Sequence, residues 1–225
     1  MKPKSTKIIF FGDSICVGQY VSIHKGWVTR VSAYLSEIED CTQQYVVINA
    51  SSSGRTTRLA LENMPYEVQS IRPDLMLLQF GMNDCNYWRS DPGVPRVSAR
   101  AFEGNLHEII ERAHRTGVKK ILLNTNHPTG LADRSMPGTS ISYQESNAAY
   151  NQIIRNVAET SGANVVLTDI ERIFHEYTGR DEERLLELLL PAPDLLHLSE
   201  KGHDLYYEHV APQIVSALRD LTNGQ

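Results

Sequence analysis

The chain has 225 residues, which is enough for one large domain or two small ones with a substantial buried core. Hydrophobic residues make up 41% and charged residues 22%, the balance of an ordinary globular protein. The formal net charge of -5 argues against a general nucleic-acid binder. Because no apolar run approaches the ~18 residues that cross a bilayer, we expect no integral membrane segment.

The first residues and the cysteines bear on the cellular compartment. Residues 1–7 are basic like the start of a signal peptide, but the apolar stretch at 8–11 is far shorter than a signal core. The three cysteines, Cys16, Cys41 and Cys85, are odd in number and show no metal-type spacing. We therefore expect a reduced, cytoplasmic protein in which Cys16 and Cys85 are small buried hydrophobes.

Strand-like and helix-like segments alternate along the whole chain. The strand-like segments are short and almost continuously apolar, as in a parallel sheet covered on both faces; they lie at residues 7–11, 45–49, 74–80, 118–124 and 164–168. Apolar residues recur at helical spacing in between, at residues 27–38, 102–113, 149–157 and 201–221. This alternation predicts a doubly wound α/β fold with a five-stranded parallel sheet. Since no linker or repeat divides the chain, we expect a single domain over residues 1–225.

Three loops are longer than this architecture requires, at residues 16–26, 85–98 and 126–142. All three follow strands at the same edge of the predicted sheet, where long loops usually carry function. A further segment, residues 181–191, predicts a leucine-rich helix with an acidic start. A helix packed on the domain is the favoured interpretation. The alternatives are a membrane or partner helix and a homodimer face formed by its leucines.

Four separate segments place polar residues at strand ends or at the matching edge of the sheet. They contain Ser14, Gly54, Asn83 and the pair Asp194 and His197. Taken singly, each has a structural interpretation: a turn serine, a turn glycine, an Asx turn and a helix entry. Together they provide what acyl transfer requires, namely a nucleophile, a base and donors for the developing oxyanion. The combination therefore favours an enzyme.

The spacing suggests a role for each of these residues. Asp194 and His197 are three residues apart, so one turn can bring the carboxylate onto the imidazole Nδ1–H and leave Nε2 to deprotonate Ser14. The side-chain amide of Asn83 and the backbone N–H groups of Gly54 and Ser14 are the candidate donors of an oxyanion hole. The α/β-hydrolase alternative is disfavoured because its G-x-S-x-G pentapeptide does not occur.

At these residues the chain resembles the SGNH hydrolase family, also called the GDSL esterases and lipases. The four blocks of that family carry Ser, Gly, Asn and His, which match Ser14, Gly54, Asn83 and His197. The third and fourth blocks match fully, as G-x-N-D and D-x-x-H, and the similarity runs from the first strand to the last helix. The first block has Ile15 in place of leucine, and the second has a serine at a position that is often glycine.

The resemblance implies a flavodoxin-like, three-layer α/β/α sandwich and hydrolysis without a metal or a cofactor. It also implies that Asp194, rather than Asp13 beside the serine, is the acid of the catalytic triad. Asp13 and Asp84 are then expected to hold loops through local hydrogen bonds. Hydrolases of the family act on carboxylic esters or thioesters, whose acyl groups range from acetyl on sugars to fatty chains.

The loop after Asn83 bears on the substrate. Tyr87 and Trp88, followed by an arginine, are suited to stack on a sugar ring or to hold an anionic group. His127, after the fourth strand, is a further candidate for the pocket lining, with a structural role as the alternative. We expect the small-molecule substrate to be a short-chain (acetyl) ester of a carbohydrate or another polar alcohol. The alternatives are an acyltransferase, a lysophospholipase or thioesterase acting on longer chains, and a non-enzymatic flavodoxin-like binding module.

Overall fold

The computed structural model describes residues 4–223, in which five strands form a parallel sheet. The strands are β1 Lys4–Gly12, β2 Gln43–Asn49, β3 Leu75–Gln79, β4 Lys120–Asn124 and β5 Val165–Thr168. Their order across the sheet, β2-β1-β3-β4-β5, is that of flavodoxin-like doubly wound folds. The prediction of an α/β fold with a five-stranded parallel sheet is confirmed.

Eight α-helices and one π-helical turn connect or cover these strands within the described residues. In chain order they are α1 Ser14–Val17, α2 Trp27–Glu37, α3 Thr57–Met64, the π-turn Pro65–Gln69, α4 Ala99–Arg115, α5 Tyr143–Thr160, α6 Ile170–Thr178, α7 Glu182–Glu187 and α8 Glu200–Asn223. The four predicted helical segments correspond to α2, α4, α5 and α8. Helix α6 lies outside the predicted helical segments, although its Ile170, Ile173 and Phe174 stand at helical spacing. No helix within residues 4–223 is both long and apolar enough to cross a membrane.

Side chains of the central strands alternate between two cores, one on each face of the sheet. Ile9 and Phe11 of β1 pack with α3, α4 and α5, whereas Ile8 and Phe10 pack with α2, α6 and α8. All four side chains are fully buried, because helices cover both faces of the parallel sheet. The structure is therefore the expected three-layer α/β/α sandwich.

The leucine-rich segment forms only a short helix, α7, and its leucines mostly face inward. Leu188 and Leu189 are buried in the core on the α2 side of the sheet, and Leu185 packs against the same core. Leu189 also forms a β-bridge with Leu198, just before α8. These leucines therefore pack on the domain, as the favoured interpretation expects. A homodimer formed through this segment stays a prediction.

The order of the strands determines where a ligand can bind. The connection from β1 to β2 places α2 on one face, and the connection from β2 to β3 places α3 on the other, although β1 and β3 are neighbours in the sheet. The carboxyl ends of β1 and β3 therefore flank the topological switch point, where doubly wound folds bind their ligands. Ser14 follows β1 after a single residue, Asp13, and Asn83 comes shortly after β3.

Candidate active site

The candidate nucleophile stands where β1 turns abruptly into a short helix. Asp13 caps α1, since its Oδ1 accepts the N–H of Ile15 at 3.0 Å, and Ser14 is the first helical residue. Gly12 leaves no room for a side chain at the end of β1, because a Cβ there would lie 2.8 Å from the carbonyl oxygen of Gln79. This close approach seats Ser14 at the carboxyl edge of the sheet.

Ser14, His197 and Asp194 form a continuous hydrogen-bonded chain. Oγ of Ser14 lies 3.0 Å from Nε2 of His197, and Nδ1 of His197 lies 2.8 Å from Oδ2 of Asp194. Because a carboxylate only accepts, the imidazole donates its Nδ1–H to Asp194 and presents the Nε2 lone pair to the serine hydroxyl. The hydroxyl of Ser14 therefore donates to the base that can remove its proton.

A tight turn fixes the Asp194 carboxylate. Its Oδ1 accepts the backbone N–H groups of Leu196 at 2.9 Å and of His197 at 2.6 Å. Partial burial by itself would raise the pKa of this carboxyl, but the hydrogen bonds from His197 and Leu196 outweigh burial and hold the pKa below its ordinary value. Asp194 is thus ionised at neutral pH and stabilises a positive charge on the imidazole.

Three N–H groups are the candidate oxyanion donors. The N–H of Ser14 belongs to the first residue of α1 and has no partner inside that helix. Gly54 has a φ of 74°, a backbone conformation that residues with a side chain rarely adopt. A Cβ at this position would meet nothing within 4 Å, so the backbone conformation, and not a lack of room, favours glycine here. The side chain of Asn83 offers Nδ2, which lies 3.4 Å from Oδ2 of Asp13. One of its two amide hydrogens therefore remains for a substrate.

Arg96 connects two of these donors, and nothing in the sequence marks it. Its Nη1 donates to Oδ1 of Asn83 at 3.0 Å, and its Nη2 donates to the carbonyl of Gly54 at 2.9 Å. Since a guanidinium can only donate, it keeps the amide oxygen of Asn83 on its own side and turns Nδ2 toward Asp13. The guanidinium also stacks on Trp88, 4.6 Å from the ring centroid. A loop arginine has no periodicity or motif by which the sequence could reveal these contacts.

Two buried carboxyls support the loops around the serine. Burial raises the pKa of Asp13 to about 7, the N–H of Ile15 opposes this rise, and the nearby Asp84 adds to it. Burial likewise raises the pKa of Asp84 to about 6, against hydrogen bonds from the N–H and hydroxyl of Thr57. Asp84 thereby joins the loop after β3 to the start of α3. Asp13 accepts the local hydrogen bond that is expected, whereas the bonds of Asp84 join two segments that are distant in sequence.

A cleft of about 650 Å³ opens beside the triad. Asp194 and His197 lie in its wall together with Tyr87 and Trp88, the aromatic residues expected to contact substrate. Trp88 is 54% exposed, so part of its ring is accessible to a ligand. Much of the remaining wall comes from the third long loop, between residues 131 and 137. Within residues 4–223, no group of three or more His, Cys, Asp or Glu side chains is arranged to hold a metal ion.

His127 lies beneath the turn that contains Asp194 and His197, not in the wall of this cleft. Its ring is fully buried, and its Nε2–H donates to the carbonyl of Leu196 at 2.8 Å. Burial lowers the pKa of the imidazole to about 4, so the ring is neutral. This corrects the expectation of a substrate contact: the chain after β4 turns the ring inward, where it supports the turn that precedes His197.

Tyr20 is a second neighbour of the triad that the sequence does not single out. Its ring meets the imidazole of His197 edge-on, with 5.1 Å between the ring centroids. The residue has a φ of 70° and remains largely exposed. An edge-to-face contact of this kind favours one orientation of the imidazole ring.

Most of this chain matches a known protein family. Residues 10–205 match the model of the GDSL-like Lipase/Acylhydrolase family, a span that contains the triad and all the candidate oxyanion donors. The chain belongs to this family. The resemblance seen in the four sequence blocks is thereby confirmed.

Relatives of this GDSL-family chain include proteins named as esterases. An arylesterase of Vibrio mimicus is 28% identical over 131 residues, and the match covers 58% of this chain and 60% of the arylesterase. An uncharacterised lipoprotein of Bacillus subtilis, YqeF, is 28% identical over 73% of this chain and 71% of its own length. The crystal structure of the acetyl xylan esterase AlAXEase is 26% identical with a TM-score of 0.71, covering 94% of this chain and 98% of that one. The chain thus spans about three fifths of the arylesterase and nearly all of the solved esterase.

Proposed function

We propose that this chain is a serine hydrolase that cleaves carboxylic esters through an acyl-serine intermediate. The observation that carries the proposal is the hydrogen-bonded chain from Ser14 through His197 to Asp194 at the carboxyl edge of the sheet. Membership in the GDSL family and the names of the esterase relatives support the same activity. We assign Ser14 as nucleophile, His197 as general base and acid, and Asp194 as the group that orients the imidazole.

Acylation begins when Oγ of Ser14 attacks the ester carbonyl carbon and Nε2 of His197 takes the hydroxyl proton. The carbonyl oxygen becomes an oxyanion, which the N–H groups of Ser14 and Gly54 and the Nδ2 of Asn83 stabilise. When the tetrahedral intermediate collapses, the carbon–oxygen bond to the alcohol breaks. The imidazolium gives its proton to the departing oxygen, so a neutral alcohol leaves and the acyl group remains on Ser14.

Deacylation uses the same groups with water as the nucleophile. His197 removes a proton from water, the resulting hydroxide attacks the acyl carbonyl, and the same donors hold the second oxyanion. Collapse breaks the bond to Oγ, which recovers its proton from the imidazolium, and a carboxylic acid is released. Asp194 stays ionised throughout and stabilises the imidazolium at both stages.

We further propose that the substrate is a short-chain, acetyl-type ester of a carbohydrate or another polar alcohol. The cleft beside His197 combines the exposed ring of Trp88 with polar and charged side chains, which suits a sugar better than a fatty chain. The structural neighbour AlAXEase is named as an acetyl xylan esterase, which supports the same substrate class.

Steady-state kinetics on 4-nitrophenyl esters of increasing chain length test this proposal. We expect a higher kcat/KM for acetate than for octanoate, and almost no hydrolysis by His197→Ala. Asn83→Ala should retain a measurable rate, because losing one oxyanion donor costs about 10²–10³ in kcat. His107→Ala, which removes an exposed imidazole on α4, serves as the matched control and should behave like wild type.

Three results would contradict parts of the proposal. A preference for octanoate would contradict the short-chain assignment and favour a lysophospholipase or thioesterase instead. A wild-type rate in His197→Ala would contradict the mechanism. Formation of an acetylated sugar instead of free acetate, when a sugar is present with the acetyl ester, would identify an acyltransferase that excludes water from the same acyl-serine.

We also propose a reduced, cytoplasmic location. Cys16, Cys41 and Cys85 are free thiols, and both Cys16 and Cys85 are buried, as the sequence predicts. One relative, YqeF, is named as a lipoprotein, so attachment to a membrane is the competing outcome. Cell fractionation separates the two: recovery in the cytoplasmic fraction supports the proposal, and recovery with membranes contradicts it.

A further inference from the structure

The cleft beside the triad has two cationic side chains that nothing in the described part of the chain neutralises. Arg89, from the loop after β3, and Arg134, from the loop after β4, both lie in the cleft wall with His197. Neither guanidinium makes a hydrogen bond or an ion pair with another described residue. Both side chains therefore keep all their donors for a ligand or for water.

Acidic groups do not offset this charge inside the cleft. Among the described residues that line it, Asp194 is the sole carboxylate, and that carboxylate already accepts three hydrogen bonds from His197 and Leu196. Asp91 and Asp133 are close to the two arginines in sequence, but they lie outside the cleft wall and pair with neither. On a chain with a formal net charge of -5, the cleft is thus a local cationic surface.

The two loops that carry these arginines are fixed against each other. The N–H of Gly93 donates to the carbonyl of Pro137 at 2.8 Å, which ties the first loop to the second. Gly138 packs so closely against the first loop that a Cβ there would lie 2.7 Å from the Gly93 nitrogen. The two cationic side chains therefore belong to one joined wall rather than to two independent loops.

We propose that the ester hydrolysed at this site carries a negatively charged group, a carboxylate or a phosphate, and that Arg89 and Arg134 bind that group. The inference rests on the proposed function, because it assigns a substrate class to the same cleft. A guanidinium is suited to this role, since its planar fork matches the two oxygens of a carboxylate or phosphate and is weakly hydrated. The two arginines are specificity residues here and take no part in the proton transfers at Ser14.

The anionic group could belong to either half of the ester, so the experiment has two arms. The first arm compares the monoacetyl esters of methyl glucuronide and methyl glucoside, which differ in one carboxylate on the alcohol half. The second compares methyl hydrogen succinate with methyl butyrate, which differ in one carboxylate on the acyl half. In each arm the quantity measured is the ratio of kcat/KM for the anionic ester to that for the neutral ester.

We expect this selectivity ratio to exceed one in at least one arm and to fall about tenfold in the double variant Arg89→Gln/Arg134→Gln, mainly through KM. Raising the salt from ~0.02 M to ~0.5 M should also shrink the ratio, because the screening length falls to a few ångströms. Arg100→Gln is the matched control: it removes an exposed arginine on α4 outside the cleft and should leave the ratio as in wild type.

The outcomes separate this inference from the proposed function. If wild type hydrolyses 4-nitrophenyl acetate but shows no preference for the anionic ester in either arm, the anion site is wrong and the esterase assignment stands. A preference that survives in the double variant, or that falls equally in Arg100→Gln, also overturns the site. If wild type hydrolyses no ester at all, both the proposed function and this inference fail.

Discussion

Arg96 fixes the orientation of the Asn83 side chain, a proposed oxyanion donor, although it is not part of the Ser14–His197–Asp194 chain. A free asparagine could present either its oxygen or its nitrogen, and the oxygen would repel an oxyanion. The guanidinium of Arg96 requires Oδ1, while the carboxyl of Asp13 accepts from Nδ2, so both partners favour the same orientation. Arg96 is therefore a positioning residue that acts through Asn83 and, by its contact with the carbonyl, through Gly54.

Replacing Arg96 by alanine should lower kcat by about tenfold to a hundredfold, approaching the cost of losing one oxyanion donor. KM for a small acetyl ester should change little, because the donor is needed in the transition state rather than for binding. Arg96→Lys should recover only part of the rate, since one ammonium cannot span both Asn83 and Gly54.

A double-mutant cycle measured by steady-state kinetics checks this role of Arg96. The losses from Arg96→Ala and Asn83→Ala should be strongly non-additive, because the first substitution acts through the second residue. Additive losses, or an effect on KM alone, would show that Arg96 serves another purpose.

Among the secondary-structure elements, the junction between β1 and α1 determines the position of Ser14, the proposed nucleophile. β1 pairs with β3 to its last residue, where Gly12 lies beside Gln79. The chain then turns within Asp13 into α1, whose Cys16 packs against Gly12. Since α1 contains only four residues, it has little stability of its own, and its position depends on this contact with the sheet.

Gly12→Ala should displace α1 and, with it, Ser14. The added Cβ would lie 2.7 Å from Sγ of Cys16 and 2.8 Å from the carbonyl of Gln79, closer than such atoms pack. We expect the free energy of unfolding to fall by about 1–3 kcal/mol in urea titrations and kcat to fall as well.

Gly104→Ala provides the matched control, because a Cβ on this exposed residue of α4 would meet nothing within 4 Å. This variant should gain about 0.5–1 kcal/mol in the free energy of unfolding and keep the wild-type kcat. If the two variants proved indistinguishable in stability and rate, the close packing of α1 on β3 would not be what positions the serine.

Across the whole chain, the sequence predicts those structural features that depend on residues close to one another in sequence. The apolar run that ends at Gly12 predicts β1, and the D-x-x-H spacing predicts the contact of Asp194 with His197, because both involve neighbours along the chain. The location of the candidate active site is also predictable, since parallel strands bring their carboxyl ends to one edge of the sheet. The three-layer arrangement, with helices on both faces of the sheet, is implied by the family resemblance.

Other features depend on contacts between distant segments and leave no local pattern. Helix α6 is an exception, because Ile170, Ile173 and Phe174 stand at helical spacing and the pattern is short rather than absent. The bonds of Arg96 and the ring of Tyr20 come from loops, whose side-chain directions no period fixes. His127 illustrates the same limit: its position after β4 is predictable, but whether its ring faces the cleft or the core is set by the turn packed above it.

The buried carboxyl of Asp13 predicts an unusual dependence of stability on pH. Its pKa rises from the ordinary 3.8 to about 7 in the folded protein, so folding favours the protonated form. The associated stability is fully present below about pH 4 and is lost as the pH rises through about 7. Asp84, with its pKa raised to about 6, acts in the same direction.

The variant Asp13→Asn isolates this effect because an amide does not titrate. The free energy of unfolding of Asp13→Asn minus that of wild type, measured in urea, should increase between about pH 4 and pH 8. Taking the difference removes the buried imidazoles of His127 and His203, whose lowered pKa values favour the folded state at higher pH. A difference that stays constant over this range would show that Asp13 is already ionised throughout.

The assignment of Ser14 as nucleophile is tested most directly by its reaction with a fluorophosphonate, read out by intact-protein mass and peptide mapping. We predict one adduct per chain, located on Ser14, and no adduct in Ser14→Ala. Ser36→Ala, which changes an exposed serine of α2, should be labelled like wild type. Labelling that persists in Ser14→Ala, or that maps to another residue in wild type, would contradict the account.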